Sequence, residues 1–144
     1  MADDSVHRKY VREWMKRASG LSPDQLVGLF ERAMAAVWRR TYSSLGDITV
    51  AAIVDRVLYN ASEKYPALRS LTLDTIGVNF DEFRVRAGSI SNRDLGEAIQ
   101  FVIVELLTVV GSLTAEILTP VLHSELSTVT TPDSLAKRSE EKTQ

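Results

Sequence analysis

The sequence predicts an all-α fold, a helical bundle of four to five helices with an irregular or short β-hairpin insert between helices three and four. Three observations carry that reading. Apolar residues recur at intervals of three and four along most of the chain, the repeat of one helix face. The stretch 91–118 is the most apolar in the sequence and is apolar around far more of its circumference than a single stripe. Cap-forming Ser and Asp residues and stop-forming Gly and Pro residues fall where the periodic stretches begin and end. Residues 1–126 are assigned to one domain, long enough to bury a core without staples. Residues 127–144, rich in Ser, Thr, Lys and Glu, are assigned to a disordered tail.

The first helix is placed over 3–19, with Val6, Tyr10, Trp14, Met15 and Ala18 on its apolar side. Its other faces carry Arg8, Lys9, Arg12, Lys16 and Arg17, and Gly20 stops it. The second helix has the clearest start: Ser22 as N-cap, Pro23 at the first position, Gln25 completing a capping box, and Leu21 stapled on Leu26. Leu26, Leu29, Phe30, Ala33 and Val37 form one stripe and Val27, Met34, Trp38 and Leu45 the next, with the stop at Gly46. Asp47 then caps a third helix, whose apolar face is Val50, Val54, Val57, Ala61, Tyr65 and Leu68, widened by Ile53 and Leu58. Pro66 makes Tyr65 its boundary, because the residue before proline is pushed out of the helical region.

Between residues 70 and 90 the helical period is lost. Ile76, Val78 and Phe80 alternate, then Phe83 and Val85, with Asp81 and Glu82 between them. This pattern fits a marginal two-stranded ribbon turning at 81–82 or a connection whose large apolar residues plug the bundle.

The central helix begins at Ser91, with Ile90 stapled on Leu95 and Asp94 at N3. Ile99, Ile103, Leu106, Val110, Leu113 and Ile117 occupy one face and Val102 and Val109 join the face beside it. A narrow polar seam remains: Glu105, Thr108, Ser112, Glu116 and Thr119. Gly111 and Ala115 form a small-residue pair at which another backbone has room to approach. The run 98–113 is shorter than the roughly 20 residues a membrane span needs, so a buried core helix and no span are expected. Pro120 either kinks this helix or opens a fifth one over 120–126.

Composition narrows the function. The chain has no cysteine, which excludes disulfides, thiolate catalysis and thiolate metal sites. Seventeen basic against 19 acidic residues, a net charge of −2, give no bulk attraction for nucleic acid. No apolar segment follows the amino-terminal charges, so no secretory signal is expected, and a cytoplasmic location fits. The sequence holds no G-x-S-x-G, P-loop or G-x-G-x-x-G motif. Of the two histidines, His7 is expected at the surface near a frayed end, and His123 follows Glu116 by seven residues across the Pro120 break. Neither histidine has a glutamate three residues before it, which excludes a di-iron carboxylate bundle. No catalytic residue, metal or cofactor is nominated.

The sequence-based expectation is a small regulatory or scaffolding module working through protein contact. It would be a homo-oligomer, most simply a homodimer, with a different protein as a possible partner. Its interface or pocket residues are Ile99, Val102, Ile103, Leu106, Val109, Val110, Leu113 and Ile117, and its buried polar site is Glu105, Ser112 and Glu116. The alternative is a ligand sensor or carrier with an apolar pocket between helices, lined by Glu105, Trp38 and the segment 71–85.

Overall fold

Why this sequence makes a helical bundle is visible in a computed structural model whose described residues are 2–74 and 77–129. Helix α1 spans Ala2–Met15 and closes in a 3-10 turn, Lys16–Ala18. Its buried stripe is His7, Val11, Trp14 and Ala18, at spacings of four, three and four. Of the expected apolar side, Trp14 and Ala18 are buried, Tyr10 and Met15 pack half-buried against the core, and Val6 is 54% exposed; His7, expected at the surface, is buried in its place.

Helix α2, Pro23–Leu45, starts as its sequence dictates: Gln25 N donates to Ser22 Oγ at 3.2 Å and Ser22 N donates to Gln25 Oε1 at 3.0 Å. It stops at Gly46, whose φ of 85° suits glycine and turns the chain directly into α3, Asp47–Lys64. Tyr65 leaves the helical region ahead of Pro66, and a 3-10 segment, Pro66–Ser70, follows.

The insert is a hairpin followed by a helix. Strands β1 (Thr72–Asp74) and β2 (Gly77–Asn79) pair antiparallel in the register Thr72↔Asn79, Leu73↔Val78 and Asp74↔Gly77. The short helix α4, Asp81–Ala87, replaces the second strand expected at Phe83 and Val85. Phe83 is fully buried and Val85 is 82% exposed, so the two residues point opposite ways. A two-residue step returns to the same face in a strand but turns about 200° in a helix, so this opposed burial is the helical outcome, which the apolar types at 83 and 85 did not reveal. Ile76, the other residue of that pattern, lies outside the described residues. Phe80 and Phe83 do plug the bundle, with ring centroids 5.2 and 6.0 Å from that of Phe30 on α2.

Helix α5, Asn92–Leu113, is the central element, and α1, α2, α3 and α6 all pack on it. Among the described residues it is the one helix long and apolar enough to cross a membrane; 56% of its most apolar stretch is buried inside the protein. Helix α1 runs antiparallel to it, since Met15 lies against Gly96 while Arg8 shares a groove with Val104 and Glu105. Helix α3 does the same: Lys64 and Tyr65, at its end, line one groove with Asp94, Leu95 and Ala98 near the start of α5. The starts of α1 and α3 and the end of α5 therefore share one end of the bundle.

Helix α5 ends before Pro120 is reached. Residues 114–118 form a turn, and α6, Thr119–Thr128, follows with Pro120 in its first turn. Ser127 and Thr128, expected in the tail, are the last turn of α6, and Val129 is buried. The remainder of the expected tail, 130–144, lies outside the described residues.

Candidate functional site

The end of α5 is built as a Schellman turn. Glu116 N donates to Gly111 O at 2.7 Å and Ala115 N to Ser112 O at 3.3 Å, capping the last carbonyls of the helix. Ala115 (φ 51°) and Glu116 (φ 64°) both occupy the left-handed region, where a side chain is disfavoured. That conformation folds the Glu116 side chain back over Gly111. A Cβ on Gly111 would stand 2.6 Å from Glu116 Oε1 and 2.9 Å from Oε2, so any side chain there would displace the carboxylate. The Gly111–Ala115 pair is thus no seat for a foreign backbone.

Helix α6 is then laid parallel to α1 by a line of contacts. Trp14 Nε1 donates to Leu126 O at 2.9 Å, and the Arg17 guanidinium donates to Ser127 O at 3.0 Å. Tyr10 Oη donates to the His123 carbonyl at 2.6 Å, and its ring stacks on the His123 imidazole with centroids 4.0 Å apart. This places His123 Nε2 3.0 Å from Nδ1 of His7, which is fully buried. The other ring nitrogen of His7, Nε2, faces Glu116 Oε1 at 3.4 Å. That contact is within ion-pair range but is not aligned as a hydrogen bond, and His7 Nε2 and Glu116 Oε2 are buried without a hydrogen-bond partner. Thr119 Oγ1 donates to Glu116 Oε1 and holds the carboxylate in place.

The result is a chain of three titratable groups, Glu116–His7–His123, joining the turn, α1 and α6. An N···N hydrogen bond needs one proton between two nitrogens, so His7 Nδ1 and His123 Nε2 share a single proton. Burial pushes the His123 pKa below its ordinary value, the nearby His7 pushes the same way, and Glu116 opposes both. Among the described residues no group of three or more His, Asp or Glu side chains is arranged to hold a metal ion.

The expected site residues are distributed differently. Ile99, Val102, Ile103, Leu106 and Val110 are buried in the chain's own core and offer nothing to an outside partner. Val109 is half-buried, while Leu113 and Ile117 are 61% and 75% exposed. Of the expected polar site, Ser112 is exposed and Glu116 has left the helix for the histidine cluster. Glu105 is half-buried and lines a groove of about 490 Å³ with Arg8, Tyr65 and Phe101. Trp38 lines a separate groove of about 300 Å³ with Val78 and Phe80, so the residues expected around one pocket lie around two. A third groove, about 360 Å³ and mostly apolar, runs beside Tyr65 between α3 and the start of α5.

His7 is the functional candidate that the sequence reading missed. The signal was present: His7 and Val11 continue Trp14 and Ala18 at spacings of four, three and four, a regular helical series. Comparison with family models, with curated proteins and with solved structures returns no match.

Proposed function

We propose that the chain is a small helical module that works through protein contact, with a second copy of itself as its partner. The observation that supports this is the apolar end of the bundle. Of the seven large apolar residues that are exposed among the described residues, four belong to the elements meeting at that end: Val6, Ile48, Leu113 and Ile117. Ile48 and Ile117 are 82% and 75% exposed, more than a lone chain gains from leaving such side chains in water. A net charge of only −2 sets little repulsion between two copies. The contact surface is therefore moved from the flank of α5 to its end, where Leu113 and Ile117 remain the expected residues. Sedimentation equilibrium tests it: the wild type is expected to dimerise at micromolar concentration, and a Leu113→Asp, Ile117→Asp double variant to be a folded monomer. A wild type that stays monomeric at high micromolar concentration overturns the reading.

The second reading, a ligand carrier, is favoured by the groove beside Tyr65. Its volume of about 360 Å³ and its lining of Pro66, Ala67, Phe83, Ile90 and Leu95 suit a small apolar ligand. Burial raises the Tyr65 phenol pKa, and Glu97 and Asp94 raise it further, so the hydroxyl is held neutral as a donor at the groove's rim. A thermal-shift screen with small apolar compounds, repeated on Ala98→Phe, distinguishes it: stabilisation lost in the variant supports the groove, and none in the wild type removes it.

A further inference from the structure

A buried imidazole sharing one proton with a half-buried one is a poor structural choice unless their protonation matters. A Leu or Phe at His7 would fill the α1 stripe with no polar atom to satisfy. Instead His7, with no exposed surface, has one nitrogen against His123 and the other against Glu116. These contacts join the first turns of α1 to the first turns of α6, two segments otherwise far apart in sequence.

The proton count decides what the cluster tolerates. With both imidazoles neutral, His7 carries its proton on Nε2, toward the carboxylate, and accepts at Nδ1 from His123 Nε2. When one proton is added, at the half-buried His123, the bonding proton passes to His7 Nδ1. His7 becomes an imidazolium between the Glu116 carboxylate and a neutral His123, and the N···N bond survives. When a second proton is added, both facing nitrogens, 3.0 Å apart, carry a hydrogen, and the bond cannot exist.

We propose that Glu116, His7 and His123 form a proton-counting latch, which holds the start of α1 against α6 and the 114–118 turn and opens when both imidazoles are charged. The surroundings fit this function. From α1 the groups facing His123 are His7 and Tyr10; from the turn, Glu116; on α6 itself, Ser127 shares the Tyr10 hydroxyl. From α2, Arg39 reaches α6 and is paired with Glu125 at 3.8 Å. Among the described side chains Glu116 is the carboxylate that acts on His123, so the first charge is compensated there and the second is not. This inference is independent of self-association.

The test is amide hydrogen exchange by NMR on the full chain at about pH 7.5 and about pH 5, values that bracket the ordinary histidine range. Protection factors at residues 7–11 and 122–126 are expected to fall by roughly ten-fold or more at the acid value, while those of α3 change little. His123→Gln keeps a donor where Nε2 stands but cannot take up a proton, and is expected to hold its protection at both values. Should that variant fold poorly, the histidine ring ¹⁵N shifts of the wild type serve instead: the first proton is expected without loss of protection, the second only with it. Equal protection at both values in the wild type, an undiminished fall in His123→Gln, or two charged imidazoles with α1 still protected would each overturn the latch.

Discussion

The two ends of α5 are made by different means. At its start, Ser91 Oγ accepts from Asp94 N at 3.1 Å, and Leu95 is buried one turn on. Every residue responsible lies within five positions of the others, so the chain specifies that start by itself. At its end, the helix stops in a left-handed pair, Ala115 and Glu116, with no glycine in either place. That conformation is retained because the Glu116 carboxylate finds Thr119 on one side and His7 on the other. Local chemistry builds one end, and a contact between α1 and the turn after α5 holds the other. The contrast separates what neighbouring residues can dictate from what only the folded chain can supply.

The largest effect that sharpens the contrast comes from the leucines of α5. Leu107 is fully buried between the two ends, whereas Leu113 is 61% exposed at the second of them. Leu107→Ala is expected to destabilise by about 2–5 kcal/mol, through lost burial and the cavity left behind. Leu113→Ala is expected to change stability by no more than about 0.5 kcal/mol, as at other surface sites. Urea titration of the two variants measures both. Similar losses would mean that the end of α5 is packed as tightly as its middle.

Removing the cap at the start comes next. Ser91→Ala leaves Asp94 N without its acceptor and is expected to cost about 1 kcal/mol, by the same amount at pH 5 and pH 8. The other end must behave differently, because its contacts titrate. His123 has a pKa below its unfolded value, so between the two values the unfolded chain binds more protons than the folded one. Stability is therefore full above about pH 6.5 and is lost as pH falls through the folded value. Glu116 is what raises that value, so Glu116→Gln is expected to deepen the acid loss and His123→Gln to abolish it. Denaturant midpoints from pH 8 to pH 5 check the sign. An acid loss made shallower by Glu116→Gln would reverse the assigned role of the carboxylate.

The same contrast explains what was legible in the sequence. The all-α class, the capping box at Ser22, the stop at Gly46, the boundary at Tyr65 and the start at Ser91 follow from residues within one turn of each other. So does the choice of Ile99, Ile103, Leu106 and Val110 as a buried face, because a helix this apolar has to be covered. Whether its own chain or a partner covers it is not a local property, and here α1, α2, α3 and α6 do so. Helix α4 was obscured because seven residues give too few steps to separate a period of two from one of 3.6. His7 was obscured because its partner is 116 positions away. A histidine near a terminus carries no mark that it will be buried, and periodicity alone had placed Glu116 on a helix that ends before it.

The smallest expected effect isolates the backbone part of that second end. Ala115 is exposed, and its backbone N–H, not its side chain, makes the turn, so Ala115→Gly changes little except conformational preference. A non-glycine residue in the left-handed region costs roughly 1–2 kcal/mol, whereas glycine enters it freely. Glycine also makes the unfolded chain more flexible, which returns about 0.4–1 kcal/mol of that gain. The balance is a stabilisation of about 0.5–1 kcal/mol, or roughly 2–4 °C in melting temperature. Glu116→Gly relieves a backbone strain of the same kind but deletes the carboxylate that faces His7 and Thr119. It is therefore expected to melt below Ala115→Gly, and the gap between the two variants measures what the carboxylate contributes. Equal melting temperatures would mean that the turn stands on backbone hydrogen bonds alone, and that Glu116 is a passenger in it.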